Sequence, residues 1–130
     1  MASVVSAHDF LRGKTTLVTG VTGFIGKVFV EKILRVQPDI KKLYVLIRAP
    51  NSYLAKQRFH NEVIGKDLFK VLRDKLGAEF GSFISKKVIV VAGDVSLDNF
   101  GIKDENMKNQ IMEELDIIVR TAASTTFNER

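Results

Sequence analysis

The chain has 130 residues, 45% hydrophobic and 27% charged, with 20 Lys and Arg against 15 Asp and Glu for a net charge of +5. This is one ordinary domain or part of a larger one, apolar enough to build a core and too apolar for a disordered tail. Cysteine is absent and the two histidines, His8 and His60, stand far apart, which excludes a disulfide framework and a thiolate metal site and leaves no zinc-binding pattern.

The basic residues are scattered. Adjacent pairs occur at Lys41-Lys42 and Lys86-Lys87, each just before an apolar run. No aromatic residues interleave with arginine, so the chain lacks a nucleic-acid platform. The positive balance reads instead as a solvated surface that favours an anionic ligand. No run approaches the ~20 apolar residues of a membrane span. The segment from Met1 to Phe10 has no apolar core of a signal peptide and is too short for a transit peptide, so the expected compartment is the cytosol.

In chain order, Thr15–Thr19 (TTLVT) is β-branched and ends at a glycine, the pattern of a buried first strand. After Gly20-Val21-Thr22-Gly23, a helix is expected over 24–36, with Phe24, Val28, Ile33 and Leu34 on its apolar stripe. Pro38 stops it. Residues 42–48 (KLYVLIR) read as strand two, and Ala49-Pro50-Asn51-Ser52 as a turn. A long helical region follows from about Leu54 to Leu76, with a stripe of Phe59, Val63, Leu68, Leu72 and Leu76 and a break at Gly65. Residues 77–85 read as connecting structure with room for a short helix. Strand three is expected over 87–92, a loop over 98–103, a helix over 104–115 capped by Asp104, and strand four over 116–120. Strands alternating with helices imply an α/β fold, a Rossmann-like doubly wound parallel sheet with right-handed crossovers and strand order 3-2-1-4. Near-continuous apolar strands fit a sheet covered on both faces.

Gly20, Gly23 and Gly26 stand in G-x-x-G-x-x-G spacing between a strand and a helix. A phosphate-binding turn needs glycine for the tight bend, for backbone approach to the pyrophosphate and for close packing of helix on strand. The helix N-terminus then offers N–H groups and a positive dipole end. A merely glycine-rich turn is the bland alternative, and the strand–turn–helix context argues against it. Strand two ends in Arg48 rather than the acid that holds the ribose of NAD. A guanidinium there grips a 2′-phosphate through paired N–H donors, which favours NADPH; the alternative is a surface charge. Asp94, after strand three, is placed to accept from an adenine amino group or simply to form a turn. Ala122 and Ala123, after strand four, are small enough to let a cofactor pass, or are tightly packed.

These residues carry a family resemblance. Thr19-Gly20-Val21-Thr22-Gly23-Phe24-Ile25-Gly26 resembles the fingerprint of extended short-chain dehydrogenases. Phe10 to Lys14, Lys27 to Arg35, Leu43 to Ala49, Asn61 to Phe69, Val91 to Ser96 and Ala122 to Arg130 are similar to the plant alcohol-forming fatty acyl-CoA reductases. One departure is Ile25-Gly26, where many plant members carry Leu-Ala. The resemblance implies that residues 1–130 are the N-terminal part of a dinucleotide-binding domain. It implies cofactor contacts from Thr22, Phe24, Ile25 and Val95 besides the residues above. It also implies an NADPH-dependent reduction of a long-chain acyl-CoA, through an aldehyde, to a primary alcohol that feeds wax or suberin, with an association to the endoplasmic reticulum.

The family's catalytic Tyr-x-x-x-Lys pair is missing. Tyr44 has Arg48 four residues on and Tyr53 has Gln57, so no catalytic residue is assigned. A catalytically inactive NADPH-binding or interaction module, pairing along an open edge of strand four, is the alternative function. A sugar-nucleotide epimerase is disfavoured by Arg48 and the long second helical segment.

Overall fold

The computed structural model describes residues 7–121. After a short helix α1 (Ala7–Phe10) the elements run β1 (Thr15–Thr19), α2 (Phe24–Val36), β2 (Lys42–Ile47), α3 (Ser52–Phe59), α4 (Lys70–Leu76), α5 (Phe80–Lys87), β3 (Val88–Ala92), α6 (Glu105–Glu114) and β4 (Ile117–Arg120). The four strands are parallel in the order β3-β2-β1-β4, the doubly wound order expected from the sequence. Central β1 is buried at every residue. Leu17 faces Tyr44 on one side and Ile118 on the other.

Alternation along each strand sends side chains to two layers. Val18, Leu43, Val45 and Ile47 pack with Val30, Ile33 and Leu34 of α2, and with Phe59, Phe69, Leu72 and Ile84 of the segment before β3. Leu17, Tyr44, Leu46 and Val91 pack with Ile102 and Ile111 on the α6 side. Tyr44 is wholly buried, and its hydroxyl donates to Glu114 Oε1 at 2.9 Å while accepting from Gln110 Nε2 at 3.0 Å. Lys42 Nζ reaches the same carboxylate oxygen at 2.8 Å. This polar latch fastens α6 to β2.

Several expected details shift, each for a local reason. Phe24 opens α2 but lies outside the core at 66% exposure. At 100° per residue the face that meets the sheet carries Gly26, Val30, Ile33 and Leu34. The long second helical region is a chain of pieces: α3, a π turn at His60–Ile64, a 3₁₀ turn at Asp67–Phe69, and α4. The wide turn and the break at Gly65 reset the helical phase, so Phe69 is fully buried and Leu68 only partly. Helix α3 starts earlier than expected because Asn51 caps it, accepting from Leu54 N at 2.9 Å. The stretch before β3 forms a true helix, α5. Asp104 caps α6 as expected, accepting from Met107 N at 3.2 Å.

Candidate functional site

The C-terminal ends of β1, β2 and β3 open onto a crevice of about 160 Å³, lined among others by Gly20, Thr22, Arg48, Arg58, Asp94 and Val95. A parallel sheet delivers its loops to this end, so residues far apart in sequence meet there.

The β1–α2 turn is built from glycine for steric reasons. Gly20 has φ +77°, and a Cβ on it would collide with Thr121, whose carbonyl oxygen would lie 2.7 Å away. Thr121 is held in that place by its own hydroxyl, which donates to Thr19 O at 2.6 Å. A Cβ on Gly26 would sit 2.6 Å from the Gly20 carbonyl carbon and 2.7 Å from Val21 Cα, so glycine lets α2 approach the strand this closely. Gly23 is the N-cap of α2 and contributes no side-chain cap. The first-turn N–H groups therefore stay available to an anion. A pyrophosphate fits this cradle: a backbone free of Cβ atoms leading to an uncapped helix N-terminus. Phe24 and Ile25, in that first turn, are exposed and do not line the crevice.

Across the crevice, Arg48 extends from the end of β2 with its side chain 80% exposed, its Nε 3.8 Å from Asp94 Oδ2. Asp94 Oδ1 accepts from both the hydroxyl of Ser96 at 2.7 Å and its N–H at 3.0 Å. The Ser96 hydroxyl, then its N–H, with Arg48 beside it, hold the Asp94 carboxyl below the usual carboxylate range. The turn reading of Asp94 is thus realised through one oxygen, while the second oxygen faces the crevice cation.

The β3–α6 loop clamps this acid. Asp94 N donates to Phe100 O at 2.6 Å. Three successive residues, Asn99, Phe100 and Gly101, take positive φ values of 53°, 59° and 59°, which turns that carbonyl back over Gly93. A Cβ on Gly93 would lie 2.5 Å from it. Beyond β3 lies a larger cavity of about 770 Å³ that shares Arg48, Gly93 and Asp94 with the crevice.

Of the residues expected from sequence, Gly20, Thr22, Arg48, Asp94 and Val95 come together on the crevice walls, and Gly23 and Gly26 frame its turn. Ala122 and Ala123 lie outside the described residues. Arg58 and Thr121 were not anticipated. Arg58 stands in the last turn of α3, ten residues after Arg48, and no local motif marks it. Neither tyrosine is placed for acid–base work: Tyr44 is locked in the latch to α6, and Tyr53 accepts from Gln57 Nε2 at 2.9 Å on an exposed surface. Among the described residues no group of His, Cys, Asp and Glu forms a metal site.

Residues 18–130 match the family of NAD-binding domains described as male sterility protein. The chain belongs to that family. It is 53% identical over 126 residues to fatty acyl-CoA reductase 8 of Arabidopsis thaliana, a match that covers 96% of this chain and 25% of that protein. It is 49% identical over all 130 residues to the alcohol-forming fatty acyl-CoA reductase of Simmondsia chinensis, 26% of whose length is matched. The chain thus spans about a quarter of the length of these curated relatives. Among solved structures, the reductase domain of a non-ribosomal peptide synthetase from Mycobacterium tuberculosis superposes with a TM-score of 0.67 at 30% identity, over 85% of this chain and 24% of that one. The family and the glycine cradle together make this a binding domain for a nicotinamide dinucleotide. Among the described residues no helix is long and apolar enough to cross a membrane.

Proposed function

We propose that this chain is the cofactor-binding, N-terminal part of an NADPH-dependent, alcohol-forming fatty acyl-CoA reductase. The observation that carries the choice of NADPH is Arg48, an exposed guanidinium at the end of β2 on the crevice wall. An acid that would take the ribose hydroxyls of NADH is missing from that strand end. Gly20, Gly23, Gly26, Thr22, Phe24 and Ile25 receive the pyrophosphate side, Arg48 the 2′-phosphate, Asp94 and Val95 the adenine, and Ala122 and Ala123 the passage beyond β4. Bound NADPH supplies hydride equivalents. Two of them, with two protons, would convert a long-chain acyl thioester through an aldehyde to a primary alcohol and free coenzyme A.

The relatives support the substrate class: two of them are named as fatty acyl-CoA reductases, one as alcohol-forming. The acid–base pair and the acyl site belong to residues beyond this quarter of the relatives' length. The resemblance to plant reductases supports a place in wax or suberin formation and an association with the endoplasmic reticulum. A second reading, an inactive NADPH-binding or interaction module, is favoured by one observation: the outer edge of β4 pairs with no strand among the described residues.

The test is a fluorescence titration of the 130-residue chain with NADPH and NADH. Micromolar NADPH binding, much weaker NADH binding, and a loss of about ten- to hundredfold in NADPH affinity for Arg48→Ala are expected from removing charge-assisted hydrogen bonds. A folded chain that binds neither nucleotide sinks the proposal.

A further inference from the structure

Two cations line the crevice at the ends of β1, β2 and β3, and they are held in opposite ways. Arg48 is a loose arm: its side chain is 80% exposed and its ion pair to Asp94 is 3.8 Å long. Arg58, from α3, is a fixed one. Its Nε and Nη2 donate to the two oxygens of Glu62, each at 3.0 Å, and its Nη1 donates to the backbone carbonyl of Arg48 at 2.8 Å. A guanidinium has five N–H donors. Three are used here, which leaves one on Nη1 and one on Nη2 for a further acceptor such as a phosphate oxygen. Glu62 stays ionised under this arrangement, since Arg58 foremost, then Lys27 and Lys66, hold its carboxyl below the usual range. With those lysines nearby, the Glu62 charge is more than balanced and the neighbourhood stays positive.

We infer that Arg58 is a second specificity-determining residue for the 2′-phosphate, gripping it opposite Arg48, and that Glu62 is the positioning residue that holds Arg58 in register. This rests on the NADPH reading above. The division of labour has a physical reason. Fixing an arginine before the ligand arrives removes most of the side-chain entropy cost of binding, while a mobile partner closes over the anion afterwards. Through its bond to the Arg48 carbonyl, Arg58 also ties α3 to the strand end from which Arg48 reaches out.

The experiment is calorimetric titration of the 130-residue chain with adenosine 2′,5′-bisphosphate and with 5′-AMP, two probes that differ by the 2′-phosphate alone. Wild type, Arg48→Ala, Arg58→Ala, Arg58→Lys and Glu62→Gln are compared, with circular dichroism to verify folding. Arg58→Ala is expected to weaken the bisphosphate about tenfold or more while leaving 5′-AMP within about twofold. Arg58→Lys should recover part of the loss, because the charge remains and the guanidinium's planar set of donors does not. Glu62→Gln should lower the preference for the bisphosphate by a smaller factor. If Arg58→Ala does not fold, the last two variants decide. An unchanged preference in them, or an Arg58→Ala loss equal for both probes, overturns the inference. A wild type with no preference for the bisphosphate would instead overturn the NADPH reading. A preference abolished by Arg48→Ala and untouched by Arg58→Ala leaves that reading standing and removes Arg58 from it.

Discussion

Gly26 and Gly23 lie three residues apart in one turn, yet they tolerate different things. At Gly26 the atoms that an added Cβ would meet are backbone of Gly20 and Val21, which cannot rotate away. Gly26→Ala should therefore push α2 away from β1 and destabilise the domain by about 1–3 kcal/mol. At Gly23 the nearest obstacle is the Gly20 oxygen at 3.4 Å and φ is −83°, a conformation open to alanine. Gly23→Ala should cost no more than about 1 kcal/mol, the scale of a changed N-cap. Urea unfolding of the two variants beside wild type checks this, and equal destabilisation would refute the steric account. The glycine spacing was legible because a sharp strand-to-helix turn leaves its mark within seven residues. The identity of the obstacles was not: Thr121, which walls in Gly20, lies a hundred residues away and reaches it only through the pairing of β1 with β4.

At the scale of elements, α6 is attached to the sheet by a small apolar contact and by the Tyr44–Glu114–Lys42 latch. The bond from Lys42, then that from Tyr44, hold the Glu114 carboxyl below its ordinary value of 4.5. A group whose folded pKa is depressed contributes stability that is fully present above its unfolded pKa and is lost as pH falls through the folded one. Glu114→Gln should thus lower the melting temperature at neutral pH. The gap to wild type should close as pH falls below the ordinary glutamate range. Thermal melts across that interval test the sign, and a gap that stays constant with pH would mean the latch is not electrostatic. Burial, followed by the bond to Glu114, pushes the Tyr44 phenol up, so it remains a neutral donor throughout. The sequence pattern marked Tyr44 as a strand residue in an apolar run. It carried no sign that Glu114 and Gln110, on a helix about seventy residues later, would meet its hydroxyl.

For the molecule as a whole, the consequential feature is the outer edge of β4. It pairs with no other strand among the described residues, and Ile118 beside it is 43% exposed. An unpaired edge with apolar side chains is a template for association. The 130-residue chain is expected to self-associate with rising concentration in sedimentation velocity, and Ile118→Lys is expected to shift it toward monomer. A chain that stays monomeric at every concentration would show that this edge is not sticky. The same sheet accounts for the position of the site. Parallel pairing carries the C-terminal ends of β1, β2 and β3 to a common rim, so a glycine turn, an arginine and an aspartate from three loops share one crevice.

The sequence by itself determined the four strands, the parallel order β3-β2-β1-β4, the glycine turn, the Asp104 cap and the candidate cation Arg48. The strands, the turn, the cap and Arg48 are written in local periodicity or in residue chemistry within a few positions, and the strand order follows from the regular alternation of strand and helix. Tertiary structure alone decided the rest. The phase of the second helical region depended on a π turn that shifted burial from Leu68 to Phe69. The clamp on Asp94 depended on a left-handed run at 99–101. Arg58 joined the crevice because α3 packs back across the end of β2, carrying a surface-looking helix residue to the Arg48 carbonyl. Contacts of that kind are set by how elements dock, and docking depends on the whole core rather than on any one segment.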